Sequence, residues 1–150
     1  MIKKYILFII FIVLIIIGCK NKEYSFLKTN WYRFRGAKGL GISEESGWNP
    51  KSLKKGKDIA WQINVGQGYS SVVISGDYLY TTGYNKRQDT VFCINVNDGS
   101  VIWSYSYPIK SVGYNGTRAT PLVEGDFVYT FSHRGDIFCF DSFNRFTNRK

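Results

Sequence analysis

Three cysteines, one histidine and 11 carboxylates are the side chains of this 150-residue sequence best suited to chemistry. Their spacing limits what they could do. There is no CxxC pair and no cysteine beside the histidine, so zinc ligation has no support. The carboxylates form no spaced ligand set of the kind calcium needs. His133 stands in His133-Arg134-Gly135-Asp136, between two apolar runs. A general base needs a reacting group within hydrogen-bond reach, and a hairpin turn accounts for these four residues, the Arg-Gly-Asp triplet included. Cys93 and Cys139 occupy matching places in Val-Phe-Cys-Ile-Asn and Ile-Phe-Cys-Phe-Asp. A disulfide requires Cα atoms within about 7 Å, which matching positions of neighbouring repeats need not satisfy, so both read as small buried side chains. Gly39-Leu40-Gly41 follows no apolar strand and opens no helix, so a phosphate loop is not predicted there. Lys51, Lys54, Lys55 and Lys57 read as a solvated loop, with contact to an anionic polymer as the sharper alternative.

The elements that must position these residues are strands. Apolar residues rarely recur at helical spacing, aromatics reach 17%, and 15 glycines accompany only 3 prolines. The clearest stretch is Val91 to Tyr107, two alternating runs broken at Asn97-Asp98-Gly99, which is a hairpin signal. Further strands are predicted at Ile59 to Val65, Ser70 to Ser75, Tyr78 to Thr82, Thr117 to Val123, Phe127 to Ser132 and Asp136 to Phe140. Gly83 to Asp89 reads as a polar loop, and Trp31 to Lys57 as an irregular lead-in.

The strands repeat. Gly76-Asp77 returns as Gly125-Asp126, and Cys93 as Cys139, at offsets in the forties. Short strands at that period predict an all-β propeller, with about two blades across residues 58–141. Residues 142–150 lose the pattern.

These residues resemble the pyrroloquinoline-quinone-like (PQQ-like) β-propeller repeat family. Cys93, Asn95, Gly99 and Trp103 fall at the places of its tryptophan-docking motif, with Cys for Ala and Asn for Asp. A second copy begins at Cys139 and Asp141 and then departs, with Arg145 for the Gly and Arg149 for the Trp. The resemblance implies that an indole packs between blades while the Gly and the amide shape the turn. It also implies a closed ring of more blades than two, so the chain is expected to be the front part of a longer propeller. The family's dehydrogenases hold a quinone and calcium with a vicinal cysteine pair. No such pair occurs here, so neither PQQ nor calcium is expected, nor is catalysis.

The N-terminus is read as a targeting segment. Lys3 and Lys4 precede an apolar run from Tyr5 to Ile17, shorter than the roughly 20 residues that span a bilayer. Ile16-Ile17-Gly18-Cys19 resembles a bacterial lipobox, which implies a signal peptide over 1–18, lipidation of Cys19 and a polar tether to about residue 30. An uncleaved signal anchor or an ordinary secretion signal are the alternatives. The formal net charge of +9 suits anionic surfaces, and part of it belongs to the targeting segment. The expectation is a lipid-anchored cell-envelope protein, at an outer membrane or surface, that contacts other envelope proteins through a non-catalytic propeller. No nucleic-acid partner is expected, and two isolated blades would self-associate through open edges. A fragment of a periplasmic quinoprotein dehydrogenase and a basic surface adhesin are the competing readings.

Overall fold

The computed structural model describes residues 30–47, 49–52, 59–110, 116–132 and 134–142. Cys19, His133, Arg145 and Arg149 therefore lie outside the described residues. Seven strands are formed among them: β1 (Val73–Ser75), β2 (Tyr78–Asn85), β3 (Gln88–Asn95), β4 (Val101–Pro108), β5 (Leu122–Glu124), β6 (Phe127–Phe131) and β7 (Ile137–Asp141). They make two antiparallel meanders, a four-stranded sheet in the order β1-β2-β3-β4 and a three-stranded sheet in the order β5-β6-β7.

The repeat is visible in the register. Tyr80 stands opposite Cys93 in the first sheet, and Tyr129 opposite Cys139 in the second. Gly76 and Gly125 turn the first hairpin of each sheet at φ of 58° and 56°, a region open to glycine. Each turn is also tied to the end of its third strand, since Val96 N–H donates to the Asp77 carbonyl and Ser142 N–H to the Asp126 carbonyl.

The partial β-propeller expected from this repeat is not what the strands build. Two small sheets lie together, each an open row, and neither curls or joins a radial, closed arrangement. The repeat demands only that each meander bury one face, and a single partner sheet satisfies that demand. Val73, Tyr80, Val91 and Cys93 of the first sheet and Val128 of the second have no exposed surface. The seam is aromatic: Tyr107 stacks on Phe138 at 4.4 Å between ring centroids, and Trp103 lies 5.4 Å from Phe140. Such ring pairs add about 0.5–1.5 kcal/mol beyond their area. The lead-in segment clasps both sheets, because the Trp31 carbonyl accepts the Ile74 N–H and the Tyr32 carbonyl accepts the Val123 N–H.

Two local expectations also change. Residues 59–65 form no strand; the Trp61 side chain, and not a backbone ladder, anchors them. The polar stretch from Gly83 to Asp89 is not a loop but the tip of a two-residue hairpin, with Asn85 opposite Gln88 and with Lys86 and Arg87 at φ of 46° and 64°. No helix among the described residues is long and apolar enough to cross a membrane.

Candidate ligand-binding groove

Of the motif residues, Asn95 and Gly99 shape the turn at one end of the first sheet, while Cys93 and Trp103 lie within β3 and β4. Asn95 Oδ1 accepts the Asn97 N–H at 2.8 Å, and its own N–H donates to the Ser100 carbonyl. Asp98 Oδ1 accepts both the N–H and the hydroxyl of Ser100. Those two bonds hold the Asp98 carboxyl below its usual range, the hydroxyl contributing first. Gly99 sits at φ 73° under an indole, but the indole is Trp61 and not the Trp103 of the same hairpin. Trp103 reaches the second sheet instead, where its Nε1–H points to the Ser142 carbonyl at 3.5 Å.

Cys93 lies between Tyr80 and Trp103 in the ladder and is fully buried; burial pushes its thiol up to about 11. It is therefore a protonated, inaccessible thiol at neutral pH. Cys139 is half-buried opposite Tyr129, Asp141 ends β7 opposite Phe127, and both Cys93 and Cys139 are free thiols. Asp89, buried, stands opposite Tyr107. Burial first, then the Asp89 charge and a hydrogen bond with it, keep the Tyr107 phenol protonated well above the ordinary tyrosine range. Among the described residues no three His, Cys, Asp or Glu side chains gather as metal ligands.

The opposite face of the first sheet carries the feature that the motifs did not indicate. Alternate residues of a strand share a face, so Gln88, Thr90 and Phe92 of β3 line up there. Thr90 is opposite Ser106 and Phe92 opposite Ser104, while Asn85 of β2 is opposite Gln88. The Thr90 and Ser106 hydroxyls are 2.8 Å apart and hydrogen-bonded. The far wall is the segment at Asn64 to Gln67, joined to β2 by reciprocal backbone bonds between Gln67 and Tyr84 of 2.9 and 2.7 Å. It can approach because residue 83 is glycine: a Cβ there would lie 1.7 Å from the Val65 carbonyl oxygen. Asn64 Oδ1 accepts the Gly66 N–H and fixes the wall's bend.

Two adjoining concavities result, of about 460 and 410 Å³, which share Asn64, Gly66, Asn85 and Lys86. Their lining is mostly carboxamides and hydroxyls, with Val65, Tyr84 and the half-buried Phe92 ring, Lys86 as the charged residue and no carboxylate. Such a surface can give and accept hydrogen bonds at fixed positions around an apolar ring face. A smaller concavity, about 260 Å³, lies in the lead-in segment around Trp31 and Ile42. Its charged side chains, Lys38 and Glu44, are exposed and already paired with each other.

The alternation of Gln88, Thr90 and Phe92, and of Ser104 and Ser106 between aromatics, was the available signal for this face. It was hidden because Gly83 to Asp89 reads as a loop and Asn64 reads as part of a strand over Ile59 to Val65 that does not form.

No family model matches the chain, and neither a curated protein nor a solved structure matches it. With two open sheets in place of blades, the resemblance to the PQQ-like repeat family does not hold. The function inferred from it, an envelope lipoprotein acting through a propeller, is overturned with it, as is the alternative of a quinoprotein dehydrogenase fragment.

Proposed function

We propose that this chain is a non-catalytic binding module whose groove takes a neutral, polyhydroxylated ligand, an oligosaccharide chain. The observation that carries the reading is the lining itself. Phe92 offers a ring face for the C–H side of a sugar, while Asn85, Gln88, Ser104 and Ser106 stand round it with donors and acceptors for ring hydroxyls. Carboxamides and hydroxyls suit a neutral polyol, since each can both donate and accept, and one lysine at the rim provides little for a polyanion. A location at the cell envelope belongs to the same proposal and rests on the sequence of residues 1–19 alone.

The test is a printed array of neutral and acidic oligosaccharides probed with the full chain, followed by calorimetry on a neutral hexasaccharide that it retains. Binding of neutral glycans that persists from 50 to 500 mM salt, and falls at least tenfold in Phe92→Ala and in the Asn85→Ala/Gln88→Ala pair, is the expected result. Absence of any neutral glycan signal, or a signal that salt removes, overturns the reading, because charge alone is screened over about 10 Å at 0.1 M salt.

A further inference from the structure

The two concavities of the groove meet at a waist lined by Asn64, Gly66, Asn85 and Lys86. The Phe92 ring lies in the concavity on one side, and Gln67 and Tyr84 line the one on the other. At about 460 and 410 Å³ each has room for a sugar ring. A ring in each puts the bridge between the two rings at the waist.

Asn64 differs there from the other carboxamides. Its Oδ1 accepts the Gly66 N–H at 2.9 Å. An N–H cannot donate to an amide nitrogen, so this bond fixes which end of the carboxamide is oxygen. The oxygen is engaged with the wall, while Nδ2 has no acceptor among the described residues. What Asn64 offers a ligand is therefore donation alone. The other carboxamides of the groove, on Asn85 and Gln88, keep both functions and can meet a hydroxyl either way. In an oligosaccharide each hydroxyl also gives and takes a proton bond, but the oxygens that bridge one sugar to the next only accept. A donor held in place at the waist suits such an oxygen.

We propose that Asn64 is a specificity-determining residue, which donates from Nδ2 to the oxygen bridging two sugar units. One ring then sits against Phe92 and the next beside Gln67 and Tyr84. The inference rests on the oligosaccharide reading of the groove and adds to it that the linkage is recognised, not only the ring hydroxyls.

The full chain is titrated in a calorimeter with the neutral hexasaccharide that it retains on the array, and with the analogue carrying sulfur in place of each bridging oxygen. Sulfur is a weak acceptor, and the exchange leaves every hydroxyl and ring oxygen in place. Wild type is expected to bind the sulfur-linked chain about fivefold more weakly. Asn64→Asp keeps an oxygen for the Gly66 N–H and puts an acceptor where the donor was. It is expected to bind the oxygen-linked chain roughly tenfold more weakly than wild type does, and to lose the preference for oxygen over sulfur. Gln67 and Tyr84 amides as protected from hydrogen exchange in the variant as in wild type show that the wall is kept. Equal wild-type affinities for the two ligands overturn the inference and leave the oligosaccharide reading standing. An undiminished oxygen preference in Asn64→Asp does the same, because sulfur is then felt through its longer bonds and not through Asn64. An array on which no neutral glycan is retained overturns both.

Discussion

The indole of Trp61 lies flat on the Cα of Gly99, and its Nε1–H donates to the Val96 carbonyl at 2.8 Å. A side chain remote in sequence thus caps the turn that joins β3 to β4. A Cβ on residue 99 would meet the indole at 2.6 Å while the backbone sits at φ 73°, so clash and conformational strain act together. Gly99→Ala is expected to lower stability by about 2–3 kcal/mol in urea unfolding. In Trp61→Ala the clash is gone, so the further cost of Gly99→Ala should fall to about 1 kcal/mol, the backbone part alone. An undiminished cost in the double variant would show that Trp61 is not the neighbour that matters.

Gly83 controls the groove without lining it. Any side chain there would strike the Val65 carbonyl and lift the segment at Asn64 to Gln67 off β2. Gly83→Ala is expected to abolish oligosaccharide binding while the aromatic seam between the sheets persists. Hydrogen exchange checks this directly: the Gln67 and Tyr84 amides should lose protection by at least tenfold, and the Tyr80 amide should not change.

The turn at Lys86-Arg87 holds two ordinary residues at positive φ, a conformation that Asn and Gly adopt far more readily. Replacing the pair by Asn-Gly is expected to stabilise the chain by about 1 kcal/mol, seen as a higher urea midpoint with the slope unchanged. Lys86 lines the groove, so the same variant also reports on charge there. If the ligand is neutral, affinity should change by less than threefold.

Much of the sheet content was legible because alternation and glycine turns are local. Val91 to Tyr107 is the hairpin its pattern predicts, with the reversal at Asn97 to Gly99. What was not legible is how the two meanders combine. A repeat of Gly-Asp turns and of Cys93 and Cys139 specifies similar units, but whether such units stack as a pair or form a ring depends on contacts such as Tyr107 on Phe138, which no spacing records. The identity of the docked indole was misread for the same reason. Trp103 lies in the same hairpin as Gly99 and Trp61 does not, yet folding brings Trp61 to the turn. The groove was invisible because its wall depends on an absence, the missing side chain at Gly83.

Cys93 links the core to pH. Burial raises its thiol from 9.0 to about 11, so the folded chain keeps a proton there that the unfolded chain releases. The unfolded state binds fewer protons between those two values, and stability must therefore fall as pH rises through that window. Below about pH 9 both states are protonated and the contribution is fully present. The loss across the window is on the order of 3 kcal/mol, from 1.36 kcal/mol per unit. Tyr80, opposite Cys93, is raised by burial first and then by that cysteine, so it adds a further loss at still higher pH. Urea midpoints measured from pH 7 to 11 are expected to decline above pH 9 in the wild type and to stay level to about pH 10 in Cys93→Ala. Alkylation gives the matching kinetic result: at pH 8 an iodoacetamide label should enter half-buried Cys139 well before Cys93, and should reach Cys93 only as fast as the chain unfolds. Equal labelling rates at the two positions in the folded chain would mean that Cys93 is not held in the closed core on which this pH dependence rests.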